Sequence, residues 1–402
     1  MTAMKRILFV DDEVQVLEGL RDNLRRHRRQ WAMVFVSSAQ AALTEMEKEP
    51  FDIVVSDMQM PGTDGAALLG LVRERCPRTV RLILSGQANR DTILRAIPLA
   101  HQFLSKPCDP LVLRTTLERL CALQDLVDND SVRSMVGELG ALPSLPRTVA
   151  ELGHAIECTD VSSQRIAEIV KRDPPLAAKV LQLTNSAFFG LPTQTNTVEA
   201  AIKYLGVELL TALAQGAHAF VASDQAKNGA ELADALQQRA ISVARLAKRL
   251  APDPKNAELA FTAGLLHNLG MMLLALQAPE CAKRIVTASV GARKPWHVVE
   301  AEGSGPGYAL IGAYLLGTWG LPLELVEAVA YQHAPNAAPA RCPLELMATI
   351  HVATTLVESM SLGADEPLAG VDVAFAARAG ILEKLPSYLN IARQDLSSAR
   401  GM

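Results

Sequence analysis

The sequence has few aromatic residues and little excess charge of either sign. Of its 402 residues, 4% are Phe, Trp or Tyr, whereas 49% are hydrophobic, so aliphatic residues and alanine supply most of the apolar content. This balance favours a core of Ala- and Leu-rich helices, because both residues have high helix propensity. The formal net charge is −4, so the chain lacks the surplus of basic residues that is typical of nucleic-acid-binding domains. We therefore expect no nucleic-acid partner.

Paired cysteines and long hydrophobic runs are also missing. The six cysteines, at positions 76, 108, 121, 158, 281 and 342, form no Cys-x-x-Cys pair, which argues against a zinc ribbon and a disulfide framework. The opening segment MTAMKRILFV runs straight into acidic residues, unlike a secretory signal. No uninterrupted apolar run reaches the length of a membrane span. We therefore expect a soluble protein in a reducing, cytoplasmic setting, with no membrane partner.

Residues 1–122 alternate short apolar runs with helical patterns. Several of the runs are rich in Val, Ile and Phe, as buried strands usually are. The predicted strands are RILFV, AMVFVSS, FDIVVSD, VRLILSG and HQFLSK, at residues 6–10, 32–38, 51–57, 80–86 and 101–106. Five strand–helix units of this size predict an α/β domain with a doubly wound, five-stranded parallel sheet.

Beyond this domain the sequence reads as helix after helix. A last helix of the first domain runs into a helical linker at 123–140, and the segment LGALPSLPRT marks the domain boundary through Gly140, Pro143 and Pro146. An all-α domain is predicted at 141–336, with a helical extension at 337–402. Within it, the apolar stretch FTAGLLHNLGMMLLALQA is predicted to form one helix with His267 and Asn268 near its middle.

Polar residues follow the predicted strands of the first domain. Asp11 and Asp12 follow the first strand, Asp57 ends the third, Ser85 the fourth and Lys106 the fifth. Because ligands bind beyond the carboxyl ends of the strands in an open parallel sheet, these five positions should converge. Three neighbouring carboxylates require a cation, and their hard oxygens suit Mg²⁺. A lysine and a hydroxyl beside them would form a cradle for a phosphoryl group.

The motifs ILFVDDE, DIVVSDMQMPGTDG, LILSG and FLSKP resemble the flavodoxin-like receiver domain of two-component response regulators. The resemblance covers about residues 4–122, with the functional positions in order. It implies that Asp57 accepts a phosphoryl group from a phosphohistidine donor. Asp12, Asp57 and the backbone carbonyl of Gln59 would bind Mg²⁺, and Asp11 would act mostly through water.

The same resemblance assigns the switch residues. Lys106 would pair with the phosphoryl oxygens, Ser85 would donate a hydrogen bond to them, and Phe103 would be the aromatic switch partner. Since Phe103 has no hydroxyl, switching would depend on its packing. A cis peptide bond before Pro107 is also implied.

Residues 141–336 resemble the HDOD domain, an all-helical relative of the HD phosphohydrolases. The motifs are LPSLPRTVAEL, RDPPLAAKVLQLTNSAFFG, AIKYLGVELL, AGLLHNLG and LGTWGLP…EAVAYQHAP. HD enzymes bind catalytic metals through several His ligands and an Asp. Most of the corresponding positions here carry other residues: Arg239, Asn268, Tyr308 and Gln332. Met271 stands where the resemblance leads us to expect a basic residue.

Only His267 and His333 remain as metal-binding side chains at those positions. Asn268 lacks the anionic oxygen that binds a hard cation, and the positive Arg239 would repel a metal. We therefore interpret this as a degenerate, metal-free HD site and the domain as non-catalytic. A weak or structural metal stays open, as does a metal-dependent phosphodiesterase acting on nucleotides or cyclic dinucleotides.

Together the two resemblances predict a response regulator in a phosphorelay. Its expected cofactor is Mg²⁺ in the receiver domain, with none in the HDOD domain. Its expected partners are a sensor histidine kinase or phosphotransfer protein and downstream signalling proteins contacted by the HDOD domain, and a homodimer is possible. A DNA-binding regulator is a third hypothesis, against which the acidic isoelectric point of about 6.1 counts.

Overall fold

The computed structural model describes most of the chain. The described ranges are 4–86, 95–139, 142, 144, 146–157, 162–186, 194–215, 230–303, 306–340 and 342–400. Gly140 and Pro143, two of the residues that mark the predicted domain boundary, lie outside these ranges.

The N-terminal domain is built on five parallel strands in the order β2-β1-β3-β4-β5. The strands are β1 Lys5–Val10, β2 Trp31–Val36, β3 Ile53–Asp57, β4 Val80–Ser85 and β5 Gln102–Ser105. Their helices include α1 Val14–Asn23, α2 Ala39–Lys48, α3 Gly65–Arg75 and α4 Pro110–Leu126. This confirms the predicted doubly wound sheet.

Successive residues of each strand belong to two different hydrophobic cores. On one face, Phe9, Leu82 and Leu104 pack with apolar residues of α1 and α4. On the other face, Leu8 and Phe103 belong to a core that continues into the C-terminal helices. Since side chains alternate across a strand, one face of the sheet serves the N-terminal domain alone and the other connects both domains.

The predicted linker, residues 123–140, contains the end of helix α4 and a separate short helix. Helix α4 is capped by the Asp109 carboxylate and ends at Leu126, and a separate helix, α5, spans Asp130–Glu138 with Asn129 as its cap. Helix α5 lies against the N-terminal domain at Gly137, where an added Cβ would come within 1.6 Å of the carbonyl oxygen of Pro77. A glycine is therefore required at this contact.

The C-terminal domain is helical, as predicted. Its helices are α6 Pro146–Glu157, α7 Ser163–Val170, α8 Pro174–Thr184, α9 Val198–Gln215, α10 Ala230–Leu250, α11 Ala257–Leu266, α12 Leu269–Gln277, α13 Pro279–Ala292, α14 Trp296–Ala301, α15 Tyr308–Thr318, α16 Leu323–Ala330, α17 Leu344–Ser361, α18 Val373–Arg378 and α19 Leu385–Arg400. Helix α9 is kinked at Gly206, which has a φ of 72°.

The prediction of one helix through FTAGLLHNLGMMLLALQA is wrong, because the chain breaks between α11 and α12 at His267 and Asn268. At this break, side chains form hydrogen bonds with backbone carbonyls that would accept backbone N–H groups in a continuous helix. His267 Nδ1 lies 2.7 Å from the carbonyl oxygen of Gly264, and Gln332 Nε2 donates to the carbonyl of His267 at 2.9 Å. The polar pair therefore lies at a corner between two helices.

The segment Pro254–Gln277 is long and apolar enough to cross a membrane by length and composition. In this fold 78% of its 18-residue apolar window is buried inside the molecule. Its apolar character is accounted for by packing in the helical core.

The two domains contact each other through polar side chains that reach backbone carbonyls across the interface. Gln102 Nε2 on β5 donates to the carbonyl of Thr318 at 2.8 Å. In the reverse direction, Lys179 Nζ and Gln182 Nε2 on α8 donate to the carbonyls of Ile97 and His101 at 3.0 and 2.8 Å. All three donor side chains are buried, so these bonds join the domains in the interior of the molecule.

Candidate functional site

Three carboxylates and one ammonium group meet at the carboxyl edge of the sheet. One carboxylate oxygen from each of Asp11, Asp12 and Asp57 lies within 4.8 Å of the other two. Lys106 Nζ lies 2.7 Å from Asp11 Oδ2 and 3.0 Å from Asp57 Oδ1. The structure thus brings together four of the predicted site residues. Asp12 is only half-buried, so the cluster is open to solvent.

Burial governs the electrostatics of this cluster. It raises the pKa of Asp57 above its usual range, and the hydrogen bond from Lys106 offsets only part of that effect. For Lys106, burial is the largest single influence and lowers the pKa. Its hydrogen bonds and attraction to Asp11 and Asp57 outweigh burial, so the net pKa is raised. One cation therefore faces three carboxylates, and this hard-oxygen donor set fits Mg²⁺.

The predicted switch residues Ser85 and Phe103 lie on β4 and β5, the two strands that follow the Asp57 strand in the sheet order. Ser85 is buried at the end of β4, and its carbonyl accepts a 2.7 Å hydrogen bond from the backbone N–H of Lys106. Phe103 is 5% exposed and packs into the core shared by both domains. The bond between Lys106 and Pro107 is cis, as the resemblance implied. Gln59 lies exposed just beyond β3, and its carbonyl role stays a prediction.

A second cluster of polar side chains lies in the helical domain, around His267 and Asn268. Both residues are fully buried. Because His267 Nδ1 donates to the carbonyl of Gly264, its Nε2 carries the lone pair, and that atom has no hydrogen-bond partner. Burial and then the positive charge of Arg239 lower the pKa of His267 to about 3. Asn268 Nδ2 donates to the carbonyl of Leu236 at 2.8 Å, whereas its Oδ1 is unpartnered.

Arg239 provides a positive charge next to this cluster. Its Nη2 lies 3.1 Å from Glu358 Oε1, and its guanidinium carbon lies 4.0 Å from the centre of the Trp296 ring. Glu358 also accepts the backbone N–H of Trp296 at 2.8 Å. The carboxylate is thus held by a neighbouring cation and a hydrogen bond. Sequence reasoning missed Glu358 and Trp296, since neither lies in a recognised motif.

Tyr308 and His333 form the other side of the cluster. The Tyr308 hydroxyl is hydrogen-bonded to His333 Nε2 at 2.6 Å, and the ring of His333 stacks on His297 with centroids 4.1 Å apart. Burial, followed by the charge of His297, lowers the pKa of His333 well below its usual range. His297, His333 and Glu358 each offer a ligand atom within 4.8 Å of the other two. Sequence reasoning also missed His297.

Family models match both parts of the chain. The model described as the response regulator receiver domain matches residues 7–118, and that of the HDOD domain matches residues 142–335. The chain carries a response regulator receiver domain followed by an HDOD domain. Receiver domains accept phosphoryl groups from histidine kinases. The acidic cluster therefore lies in the receiver domain, and the cluster around His267 lies in the HDOD domain.

Curated relatives share parts of the chain. The response regulator protein FleR of Pseudomonas aeruginosa is 35% identical over 115 residues, which are 28% of this chain and 24% of the relative. An uncharacterised protein of Treponema pallidum is 28% identical over 210 residues, 51% of this chain and 40% of the relative. The chain thus spans less than half the length of either relative.

A solved structure has a related fold. The crystal structure of a virulence factor from Campylobacter jejuni subsp. jejuni aligns with a TM-score of 0.50 and 22% identity. The alignment covers 67% of this chain and 98% of the other. At this identity the likeness shows the fold alone.

Proposed function

We propose that Asp57 accepts a phosphoryl group from a histidine kinase or phosphotransfer protein with the help of Mg²⁺. The resulting change passes to a non-catalytic HDOD domain that regulates signalling by protein–protein interaction. The observation that carries this proposal is the position of Lys106, whose ammonium lies within 3.0 Å of Asp57 at the solvent-open edge of the sheet.

The site has the groups that phosphoryl transfer to a carboxylate requires. Asp57 would be the nucleophile, and Asp11 and Asp12 would hold Mg²⁺ with it; the ion would neutralise charge on the transferred group. Lys106 would remain beside the phosphoryl oxygens and replace its contact with Asp57 by one to them. Ser85 ends β4 and Lys106 follows the neighbouring strand β5, and a backbone hydrogen bond joins the two residues. A displacement of one residue would therefore displace the other.

The route to the HDOD domain would run through β5. Lys106 directly follows this strand, and Phe103 and Gln102 lie on it. Phe103 packs into the core shared with the HDOD helices, while Gln102 donates to the carbonyl of Thr318. A phosphoryl group adds about −1.5 to −2 charge at pH 7, and the transfer of the Lys106 contact from Asp57 to the phosphoryl oxygens would shift the end of β5. The contacts with α8 and α15 would respond.

The proposed absence of catalysis in the HDOD domain is supported by Arg239. Its guanidinium lies beside Glu358, where it supplies the positive charge that a metal ion would otherwise supply. Metal binding at this point would have to overcome repulsion from a cation that cannot lose its proton at physiological pH. The output would instead be altered docking of signalling proteins or of a second copy.

Treatment with acetyl phosphate and Mg²⁺, followed by intact-protein mass spectrometry, tests the phosphoacceptor. Wild type should gain one phosphoryl group, whereas Asp57→Asn, which keeps the shape of the side chain, should gain none. Asp52→Asn is the matched control, because Asp52 precedes β3 at the opposite end of the strand from Asp57 and pairs with Lys5, and this variant should be modified like wild type. Equal modification of Asp57→Asn would contradict the proposal.

The second candidate function is a metal-dependent phosphodiesterase, and one observation favours it. His297, His333 and Glu358 present two imidazoles and a carboxylate at ligand spacing. Both histidines have lowered pKa values, chiefly through burial, and neutral imidazole is the metal-binding form. Stoichiometric manganese, iron or zinc in the purified protein, lost in His333→Ala, would favour this second function.

A further inference from the structure

Two neighbouring helices of the HDOD domain, α12 and α15, begin at the same buried cluster. Helix α12 directly follows Asn268, and α15 begins with Tyr308. Asn268 is next to His267 in the sequence, and the Tyr308 hydroxyl is hydrogen-bonded to His333 Nε2 at 2.6 Å. The backbone N–H of Tyr308 also donates to Glu300 Oε1 at 3.0 Å. The start of α15 is therefore held by two side chains from other parts of the domain.

The far ends of the two helices reach the receiver domain and its linker. Gln277, the last residue of α12, donates through Nε2 to the carbonyl of Met135 on α5 at 2.9 Å. The carbonyl of Thr318, the last residue of α15, accepts the 2.8 Å hydrogen bond from Gln102 on β5. Helix α15 has 11 residues and spans about 16 Å at about 1.5 Å per residue. Each helix thus extends from the buried cluster to a contact outside the HDOD domain.

The backbones of α12 and α15 are in direct contact. A Cβ on Gly270 would lie 1.9 Å from the carbonyl oxygen of Tyr308, and a Cβ on Gly312 would lie 3.0 Å from the backbone nitrogen of Gly270. Because no side chain separates the helices at this crossing, a displacement of one displaces the other. Helices α12 and α15 therefore form a helix pair that moves as a unit.

The cluster at the start of the helix pair has hydrogen-bonding capacity that its present arrangement does not use. Among the described residues, three buried acceptors there have no hydrogen-bond partner: His267 Nε2, Asn268 Oδ1 and Gln332 Oε1. The neighbouring Arg239 has an unused buried donor, Nε. Since buried polar atoms normally have partners, a displacement that brings a donor to one of these acceptors stabilises a second arrangement of the cluster.

We propose that the helix pair couples the cluster around His267 to the receiver domain, so that the hydrogen bonding of the cluster changes when Asp57 is phosphorylated. The displacement of β5 passes through Gln102 to α15, and along the helix pair to the cluster. Because coupling between two sites is reciprocal, a change in the cluster also alters the affinity of the Asp57 site for a phosphoryl analogue. The inference rests on the proposed phosphorelay function and names the part of the HDOD domain that the signal reaches.

Hydrogen–deuterium exchange at the start of α15, with and without beryllofluoride and Mg²⁺, tests this coupling. The amide of Tyr308 donates to Glu300, so its exchange reports whether this bond persists. In wild type the exchange of Tyr308 should change by at least about threefold, and in Asp57→Asn it should not change. Helix α8 is the internal reference. A response of α8 without one of Tyr308 would overturn the inference and leave the proposed function intact, whereas no response of either would contradict both.

Matched glutamine variants locate the route. Gln102→Leu combined with Gln277→Leu removes the hydrogen bonds at both far ends of the helix pair. This double variant should reduce the beryllofluoride response of Tyr308 by about half or more. Gln182→Leu removes the interdomain bond that α8 makes to the carbonyl of His101, and it should leave the response of Tyr308 unchanged. A wild-type response in the double variant, or an equal loss in Gln182→Leu, would overturn the inference.

The reciprocal measurement starts from the cluster. Tyr308→Phe removes the hydrogen bond to His333 and should change the affinity of the protein for beryllofluoride by about threefold or more. Tyr388→Phe is the matched control, because Tyr388 is also a buried tyrosine of the helical region but lies on α19, outside the cluster, and its affinity should equal that of wild type. An unchanged affinity in Tyr308→Phe would contradict the coupling.

Discussion

The side-chain amide of Gln102 donates a 2.8 Å hydrogen bond to the carbonyl of Thr318 and so joins the last strand of the receiver domain to an HDOD helix. Gln102 is next to Phe103 and four residues before Lys106, so one short strand carries an interdomain bond and the predicted aromatic switch residue and leads directly into the lysine of the acidic cluster. Any displacement of the end of β5 therefore acts directly on the interface.

Loss of the Gln102 bond should loosen the interface. In Gln102→Leu, the carbonyl of Thr318 loses its side-chain donor, which costs about 1 kcal/mol. Hydrogen exchange of amides at the end of α15 should speed up by roughly fivefold, since 1.4 kcal/mol corresponds to a factor of ten. Thr115→Ala on the exposed face of α4 is the control and should leave this exchange unchanged. Equal exchange in Gln102→Leu and wild type would mean that the bond does not hold the domains together.

Lys106 should stabilise the folded receiver domain because its positive charge offsets the negative charges of the buried carboxylates in the acidic cluster. Lys106→Met leaves Asp11 and Asp57 buried beside each other without a cation, and should lower the free energy of unfolding by about 3 kcal/mol. Mg²⁺ should restore more stability in this variant than in wild type. Chemical denaturation with and without Mg²⁺ measures both effects.

The control for Lys106 is Lys48→Met, which removes an exposed ion pair with Glu45. Such surface pairs contribute about 0–1 kcal/mol, and Mg²⁺ should make no difference there. An identical Mg²⁺ response in both variants would argue against a cation site at the acidic cluster.

The interface should become more stable as pH rises from 7 to about 8.5. Burial lowers the pKa of Lys179 from 10.5 to about 7. Between these values the unfolded chain binds more protons than the folded one, so stability rises with pH by at most about 1.4 kcal/mol per unit. Of the neighbouring groups, His101 titrates below this window, because burial lowers its pKa, and the pKa of Arg81 is about 9.

Thermal unfolding across this pH range provides the measurement for Lys179. The apparent melting temperature of wild type should rise with pH, and Lys179→Met should flatten the dependence because the titrating group is gone. Parallel pH curves for the two proteins would show that Lys179 is not the group responsible.

Restoring two ligands should restore metal binding to the HDOD site. Arg239→His removes the resident cation and Asn268→Asp returns an anionic oxygen beside His267. In an Asp57→Asn background, which weakens the receiver site, the double variant should retain Mn²⁺ at least about tenfold more tightly than its parent. Elemental analysis after dialysis measures this, and adding His267→Ala should abolish the gain. Stoichiometric metal in the parent would contradict the metal-free interpretation.

Gly270 should be essential to the HDOD fold. A Cβ at this position would come within 1.9 Å of the carbonyl oxygen of Tyr308 and 2.6 Å of the backbone nitrogen of Gly312. Gly270→Ala should therefore destabilise the protein by more than about 3 kcal/mol, since backbone on α15 must move. Gly291→Ala, where a Cβ meets nothing within 4 Å, should be neutral or stabilising by up to about 1 kcal/mol. Equal melting temperatures for both variants would contradict this.

The acidic cluster could be predicted from the sequence because topology determines its geometry. In a parallel sheet the carboxyl ends of the strands share one edge, so the positions of Asp11, Asp57 and Lys106 along the chain were enough to place them together. No comparable rule exists for a bundle of helices. Glu358 and Trp296 contact Arg239 from distant helices, and nothing in their local sequence signals that contact.

The helix break at His267 and the interdomain hydrogen bonds could not be predicted from the sequence for a related reason. Hydrophobic periodicity reports which face of a helix is buried, but not which carbonyl a side chain from another helix will take. Gln332 donates a hydrogen bond to the carbonyl of His267, and Lys179 donates one to the carbonyl of Ile97. In both cases donor and acceptor are far apart in the sequence. Such contacts depend on how the helices pack.

Hydrogen–deuterium exchange of helix α8, Pro174–Thr184, with and without beryllofluoride and Mg²⁺, tests most directly whether Asp57 controls the HDOD domain. This helix donates hydrogen bonds to the receiver domain through Lys179 and Gln182. The prediction is a change in the exchange of α8 in wild type and none in Asp57→Asn. Unchanged exchange in wild type, or the same change in both proteins, would contradict the proposed relay.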